Sequence, residues 1–520
     1  MNRAPQDKQL SVHAALAGKR ILITGTTGFL AKVVLEKLIR TVPDIGGIIL
    51  LVRGSKGMDA RTRFEREVAT SSVFDRLRAE RPLFLETFFA DKLECITGEV
   101  TEAGFGLGLE DFSALTRRVD LVINAAASVN FREALDEALS INALSVRNIA
   151  ELARAAHAPL IQVSTCYVNG YNKGDMHEQI VAPARNAIPR HADGHYDLAG
   201  LLQRLQHRIE QVKASTRDPK LLARRLTEVG ISEANYYGWN DTYTFTKWMG
   251  EQLALEHMRG GALTIVRPSI IESTLQEPAP GWIEGVKVAD AVLMAYARGK
   301  TSFFPAQRRE VIDIIPADMV ASSIVLSSAE ALATPATQRI YQCCTGSSNP
   351  VSVGRVIDLF HGESKRNWQN YDRLFYTEPK HDFTVVSRPT FLLMLRTMSL
   401  GVTLLNGVRR LLGAGPSPAL EKVQTTQTLA ITFSFYTAPQ YRFHNNRLMA
   451  LSARFGMDDV LRYPVNTGII EWKDYLCRIH MTGLNRYALR PRSAKGAAAV
   501  AAETAPPVVE TPASTALETP

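Results

Sequence analysis

The sequence predicts an α/β protein: a doubly wound parallel sheet with helices on both faces, followed by a mostly helical region. Two observations carry this. From Arg20 to about residue 270, short continuous apolar runs alternate with stretches of helical periodicity. After about Arg355 that rhythm stops. Strands that are apolar throughout, not alternating, belong to parallel sheets buried on both faces. Right-handed crossovers between such strands wind the sheet in both directions.

The first strand is expected at Arg20–Thr24 (RILIT), and a helix at Phe29–Arg40 follows it. The second strand is Ile48–Val52 (IILLV), the third Leu93–Thr97 and the fourth Asp120–Asn124 (DLVIN). A helix over Ile141–Ala156 leads to a fifth strand, Leu160–Ser164 (LIQVS). The helix Tyr243–His257 precedes a sixth, Leu263–Val266. Residues 1–17 read as a mobile lead-in with one short helix, 18–355 as the sheet domain with substrate-binding insertions, and 356–490 as a helical C-terminal domain. Residues 491–520 are rich in Ala, Pro and Thr without periodicity, and read as a disordered tail.

At 520 residues the chain is too long for one simple core. Its 46% hydrophobic and 22% charged residues are ordinary for a globular protein. The five cysteines (Cys95, Cys166, Cys343, Cys344, Cys477) form no CxxC pair and no metal-like spacing with histidine, so no metal site is expected. Their odd number, and the lack of a secretory h-region near Met1, favour a reducing, cytoplasmic setting. The net charge of +8 is dispersed and accompanies no nucleic-acid motif. Nucleic acid is therefore excluded in favour of an anionic cofactor, thioester carrier or lipid headgroup. No stretch reaches the roughly 20 apolar residues a membrane span needs. Phe391–Ala414, interrupted by Arg396, Asn406, Arg409 and Arg410, is expected to be an amphipathic or buried helix. Core packing is the first reading for it, and peripheral membrane contact the second.

The first strand runs into Gly25-Thr26-Thr27-Gly28-Phe29-Leu30-Ala31, a G-x-x-G-x-x-A loop that opens a helix. Gly25 makes a tight turn, Gly28 lets a pyrophosphate approach the backbone, and Ala31 lets helix and strand pack closely. The helix N-terminus then offers free N–H groups to phosphates. A glycine pattern alone is weak, but this one sits between a strand and a helix in a Rossmann-type βαβ unit. The second strand ends at Arg53. A carboxylate there would accept from ribose hydroxyls, whereas arginine pairs with a 2′-phosphate, so NADPH is the expected cofactor. Asn124-Ala125-Ala126-Ala127 leaves room for the cofactor at the end of the fourth strand, or simply packs strand against helix.

Tyr243-Thr-Phe-Thr-Lys247 opens a helix, and its spacing of four sets both side chains on one face. A lysine beside the phenol is expected to lower its pKa, and the phenol to donate a proton to a developing alkoxide. Y-x-x-x-K is common by chance and gains weight only beside the glycine loop. At the end of the fifth strand lies STCYVNG, where Thr165, with Ser164 in reserve, is expected to hydrogen-bond the substrate carbonyl. Asn142 either holds a proton-relay water or is a surface or capping residue. Cys166 invites a covalent acyl-enzyme, but no histidine lies nearby in sequence to activate it, and direct hydride attack is simpler.

TGTTGFLAK, STCYVNG, YTFTKW and IVRPSIIES together resemble the extended short-chain dehydrogenase/reductase superfamily. More narrowly, KVVLEKLIRTVPDIGGIILLVRG, INAAASVNF, PGWIEGVKVADA, VIDIIPADMVA, FSFYTAPQYRF and Trp472-x-x-Tyr475 resemble the bacterial alcohol-forming fatty acyl-CoA reductases, over about residues 15–490. That resemblance implies a Rossmann domain, a helical C-terminal domain of the male-sterility type and NADPH. It implies a catalytic set of Thr165, Tyr243 and Lys247. The expected cofactor contacts are Gly25, Thr27, Gly28, Phe29, Leu30, Arg53, Ala125, Lys247, Pro268 and Ile270. The implied reaction reduces a long-chain acyl-CoA (or an acyl carrier protein thioester) to an alcohol through an aldehyde, by two hydride transfers with release of CoA. A long acyl chain gains roughly 0.8 kcal/mol per buried CH₂ and so needs an apolar tunnel. Gly281–Phe304 and the C-terminal aromatics Phe433, Phe435, Tyr436, Tyr441 and Phe443 are candidates to line it, though any one of them is more readily core. The basic segments Arg61–Arg66 and Arg204–Arg225 meet CoA phosphates or, more simply, form solvated helix faces.

Three other readings share these residues. The enzyme stops at the aldehyde, or it is an epimerase, dehydratase or sterol-type dehydrogenase on the same scaffold, or it is a non-catalytic nucleotide sensor. Arg53 weighs against the second, which usually holds NAD⁺, and the presence of both Tyr243 and Lys247 weighs against the third.

Overall fold

The structure is a computed structural model and describes residues 9–55, 57–298, 303–335, 338–379, 384–411, 435–436 and 440–491. Its centre is a seven-stranded parallel sheet. Numbered along the chain, the strands are β1 (Arg20–Thr24), β2 (Gly47–Val52), β3 (Leu93–Thr97), β4 (Leu121–Asn124), β5 (Leu160–Val163), β6 (Leu263–Pro268) and β7 (Gln338–Cys343). They lie in the order β7-β6-β5-β4-β1-β2-β3. The order reverses between β1 and β4, whose registers match Thr24 to Asn124. A doubly wound sheet opens a crevice at that reversal, beyond the carboxyl ends of its strands.

β1, β2, β4 and β5 are apolar because both faces are covered, and from Ile21 onward they are almost wholly buried. β7 has no counterpart among the expected strands. It is an edge strand in which Gln338, Arg339 and Gln342 interrupt the apolar run. The buried Gln342 amide nitrogen finds its partners elsewhere, donating to the carbonyls of Met176 and His444 at 2.9 and 2.7 Å. The helix expected at Ile141–Ala156 begins earlier, at Leu135, and passes through a widened π turn at Ser140–Leu144 before Ser145–Ala155.

The lead-in requires a correction. Residues 1–8 lie outside the described residues, but from Leu10 the chain is anchored. Val12–Leu16 is helical, capped by Ser11, with Val12 and Leu16 wholly buried. Two apolar side chains four apart share one helix face, and that face enters the core. The Val12 N–H donates to Asp459 at 2.9 Å, and the Leu10 N–H to the Arg454 carbonyl at 2.9 Å.

Beyond residue 355 helices dominate: Val353–Asn367, Arg388–Leu411, Asn446–Ser452, Met457–Arg462 and a run of helical turns from Asp474 to Ala488. Leu448, Phe455, Tyr463, Trp472 and Tyr475 lie in the same hydrophobic core as Ile21, Ile23 and Leu50. Tyr441–Phe443 pairs in parallel with Gly174–Met176. Phe433 and the tail from residue 492 lie outside the described residues. Core packing, the first reading for Phe391–Ala414, holds for Phe391 and fails for the leucines whose side chains are described. In the helix Arg388–Leu411, Leu393, Leu400 and Leu404 are 64%, 63% and 70% exposed; residues 412–414 lie outside the described residues.

Candidate active site

A cleft of about 960 Å³ opens at the ends of β1, β4 and β5. Every expected site residue lines it: Gly25, Thr27, Gly28, Phe29, Leu30, Arg53, Ala125, Thr165, Tyr243, Lys247, Pro268 and Ile270.

At one end stands the glycine loop. Gly25 has φ +74°, and a Cβ there would lie 2.6 Å from the Ala125 carbonyl oxygen and 2.7 Å from the Ala126 nitrogen. The two loops that meet at the sheet's reversal therefore touch through a glycine. Gly28 caps the helix Phe29–Thr41 with no side chain on its first N–H groups, which leaves them for an anion. Ala31 is 2% exposed and packs as the close-approach residue should. Three polar side chains lock the strand ends together. Thr24 Oγ1 donates to Asn124 Oδ1 at 2.5 Å, and Asn124 Nδ2 to Gln162 Oε1 at 2.9 Å. Thr26 Oγ1 and Ser164 Oγ, both on the cleft, are buried with no hydrogen-bond partner in the protein. Orphaned hydroxyls of this kind call for a ligand or water. The loop, the open helix end and these hydroxyls fit a dinucleotide.

The helix that carries Tyr243 and Lys247 is Thr242–His257, with Asp241 as its N-cap. Asp241 is buried and accepts from the Thr244 N–H at 2.8 Å and the Tyr436 hydroxyl at 2.8 Å. Tyr243 and Thr165 line the same cleft, and the Thr165 hydroxyl donates to the Pro268 carbonyl at 3.3 Å. Burial, reinforced by the Asp241 carboxylate, pushes the Tyr243 phenol well above its usual range, and the neighbouring Thr165 hydroxyl opposes this. Lys247 does not lower it, as the i,i+4 spacing suggested. Its ammonium donates instead to the Val163 carbonyl at the end of β5, at 2.7 Å. Burial drops the Lys247 pKa to about 8, with Glu251 pulling the other way. Glu251 in turn holds Arg267 of β6 in a wholly buried bidentate pair, at 2.8 and 2.6 Å.

Asn142 is neither a surface residue nor a helix cap. In the π turn, its amide accepts from the Ser128 N–H at 2.9 Å and donates to the Ser128 carbonyl at 3.0 Å and to Thr246 at 3.2 Å. It pins the β4 loop to the Thr242–His257 helix, so its amide is already committed. Cys166 turns away from the cleft: its thiol donates to the Arg267 carbonyl at 3.0 Å, and burial pushes its pKa up. A thiolate nucleophile is disfavoured.

The structure adds residues that the sequence reading missed. Arg63 reaches the cleft beside Arg53 and donates to its carbonyl at 2.9 Å. Arg63 also pairs with Glu67 at 3.1 Å, and several other basic residues of those segments sit in ion pairs along or between helices, such as Arg61–Glu65, Arg204–Glu233 and Arg224–Glu228. Lys287 lies 4.0 Å above the Phe29 ring, on the far wall. From the stretch Gly281–Phe304, only Val286 and Lys287 line the cleft among the described residues; from the C-terminal aromatics, only Tyr436 does. Tyr436 packs on Tyr167 and Phe131, and Phe131 packs edge-on against Tyr243. These contacts span up to hundreds of residues, and no local pattern announces them.

A glycine loop at the sheet's reversal, an open helix end, and threonine, tyrosine and lysine around one cleft define a nicotinamide-dependent oxidoreductase of the extended short-chain dehydrogenase/reductase class. Comparison with known proteins narrows the class. The NAD-binding family model described as male sterility protein matches residues 23–324. Probable fatty acyl-CoA reductase 5 of Arabidopsis thaliana is 30% identical over 491 residues, covering 91% of this chain and 98% of the relative. Fatty acyl-CoA reductase 8 of the same plant is 31% identical, covering 91% and 98%. The alcohol-forming fatty acyl-CoA reductase of Simmondsia chinensis is 27% identical, covering 92% and 99%. Among solved structures, the terminal R domain of the myxalamid PKS-NRPS pathway superposes with a TM-score of 0.54 at 18% identity, over 90% of each chain, a likeness of fold. The chain belongs to the male sterility family of fatty acyl-CoA reductases.

Proposed function

We propose that this enzyme reduces long-chain fatty acyl-CoA to fatty alcohol with NADPH, through an aldehyde, in one cleft. The observation that carries the reading is the meeting of Tyr243, Thr165 and Lys247 with the glycine loop on one cleft. Bound NADPH supplies a hydride to the carbonyl carbon, once for each of two reductions. Thr165 orients the carbonyl oxygen and Tyr243 gives it a proton. A phenol with a raised pKa keeps that proton at neutral pH, so the group is a general acid at rest. The first reduction leaves a hemithioacetal, whose C–S bond breaks to free CoA and the aldehyde. The second delivers another hydride to the aldehyde carbon and another Tyr243 proton to its oxygen. Arg53, paired only loosely with Glu99 at 3.6 Å, and Arg63 beside it support a 2′-phosphate and hence NADPH. Hexadecanal offered without CoA tests the one-cleft reading. It should be reduced by the wild type, with NADPH preferred over NADH, and Tyr243→Phe should lose both half-reactions together. Loss of one half-reaction alone would contradict it.

Lys247 gives a pH dependence. Cofactor binding adds phosphate charge and favours its ammonium form, which is the majority below about pH 8 in the free enzyme. The sign is therefore fixed: NADPH affinity holds below the lysine's pKa and falls above it. Roughly tenfold weakening is expected between pH 7 and pH 9 for a one-proton requirement. Lys247→Met should flatten that limb in a fluorescence titration; an unchanged limb would assign the titration elsewhere.

A lipid surface is a second partner. No helix among the described residues is long and apolar enough to cross a membrane. Leu393, Leu400 and Leu404, spaced by seven and four, form an exposed stripe along one face of Arg388–Leu411, with exposed Arg396 beside it. This is the pattern of a helix lying in an interface. Changing all three leucines to serine should cut co-sedimentation with anionic vesicles more than tenfold, which corresponds to about 1.4 kcal/mol. Unchanged pelleting would exclude this face.

A further inference from the structure

Behind Ile270 and Ile271 of the cleft wall, three side chains from distant parts of the chain meet in the interior. Glu272 ends the strand Ile270–Glu272, Asp290 sits in the first turn of Val288–Ala297, and His480 ends the turn Asp474–His480. They are 2%, 1% and 2% exposed, and one donor atom from each lies within 4.8 Å of the others. His480 Nε2 is 2.8 Å from Asp290 Oδ1, and its Nδ1 is 3.0 Å from Ser273 Oγ. The other Asp290 oxygen accepts the Lys287 N–H at 2.9 Å. Glu272 differs from both. Its two carboxyl oxygens are buried, and neither has a hydrogen-bond partner. A buried carboxylate without a partner is strongly unfavourable, and such groups are kept where an ion or a proton completes them. None of the three residues lines the cofactor cleft.

We propose that Glu272, Asp290 and His480 bind one zinc-class divalent cation, which ties the C-terminal segment to the strand beneath the cofactor cleft. One imidazole nitrogen and two carboxylate oxygens make a zinc-type donor set, with a fourth position left for water. Zinc holds such donors at about 2.0–2.2 Å, which sets them roughly 3.4 Å apart in a tetrahedral site. The His480–Asp290 pair, at 2.8 Å, must open to that spacing, and Glu272, within 4.8 Å of both, must close to it. Ser273 supplies the supporting contact. With Nδ1–H donating to its hydroxyl, His480 presents the lone pair of Nε2 toward the two carboxylates. Lys287, which interacts electrostatically with both acids, moderates their combined charge before the cation arrives. The role is structural, because the cation joins segments that no single element connects.

The test uses the full-length protein, expressed with zinc and dialysed against a weak chelator. Elemental analysis should find about one zinc per chain in the wild type and less than about a tenth of that in Glu272→Gln. The glutamine is nearly isosteric and removes a buried charge, so the variant should fold, with NADPH binding as the check. After stripping with a strong chelator, zinc ion alone should raise the thermal midpoint of the wild type but not of the variant. Absence of retained zinc together with no zinc-dependent rise would overturn the proposal and leave Glu272 completed by a proton of its own. Equal zinc binding by wild type and variant would overturn it too, by moving the metal elsewhere.

Discussion

Replacing Tyr243 with phenylalanine is expected to lower kcat for thioester reduction roughly 10²- to 10⁴-fold, the range that one positioned proton donor contributes. NADPH affinity should change by less than about twofold, since the phenyl ring keeps its edge contact with Phe131 and loses only the hydroxyl. The argument rests on protonation state as much as position. Burial and the neighbouring Asp241 hold the phenol neutral, and Tyr243 lines the cleft together with Thr165. Steady-state kinetics with a separate cofactor titration distinguishes loss of chemistry from loss of binding. A fall of less than tenfold would mean that the proton comes from another group, and the unpaired hydroxyl of Ser164 is the first to examine.

Gly25→Ala is the second large effect, and it falls on binding. The residue has φ +74°, which an alanine adopts only at a cost of about 1–2 kcal/mol. Its new methyl would also sit 2.6 Å from the Ala125 carbonyl oxygen, a backbone atom that cannot rotate away. The loop after β1 must then separate from the loop after β4, and the N–H groups at Gly28 and Phe29 lose their alignment on the phosphates. NADPH affinity should fall at least tenfold, about 1.4 kcal/mol. Because the change lies at the cleft and not in the core, circular dichroism should report an intact fold. Wild-type affinity in this variant would remove the glycine loop from the cofactor site.

Local pattern carried the parts of this protein whose determinants are local. β1 and β2 are apolar because both faces are covered, so RILIT and IILLV read as buried parallel strands without any knowledge of their partners. The glycine loop was legible because a turn, a close approach and a helix end all act within seven residues. What stayed hidden depends on distant partners. β7 is half polar, and its buried Gln342 donates through the amide nitrogen to Met176 and His444 of other segments. The spacing of Tyr243 and Lys247 put them on one face, but could not say that the ammonium would find the Val163 carbonyl. Asn142 read as a relay or a surface residue because the π turn that swings it onto Ser128 and Thr246 has no local signature. Tyr436 stood out as an aromatic, yet its contact with Asp241 spans 195 positions. The lead-in read as mobile because the partners of its short helix, on the C-terminal segment and the Ala317–Ala333 helix, are distant in sequence.

The measurement that tests the central claim most directly is the ratio of NADPH oxidised to CoA released, followed in one reaction with palmitoyl-CoA while the lipid product is identified. Two hydride transfers at the Tyr243 cleft require about two NADPH per CoA, with hexadecanol as the product. One NADPH per CoA with hexadecanal accumulating would contradict the account, reducing the enzyme to a thioester reductase that stops at the aldehyde.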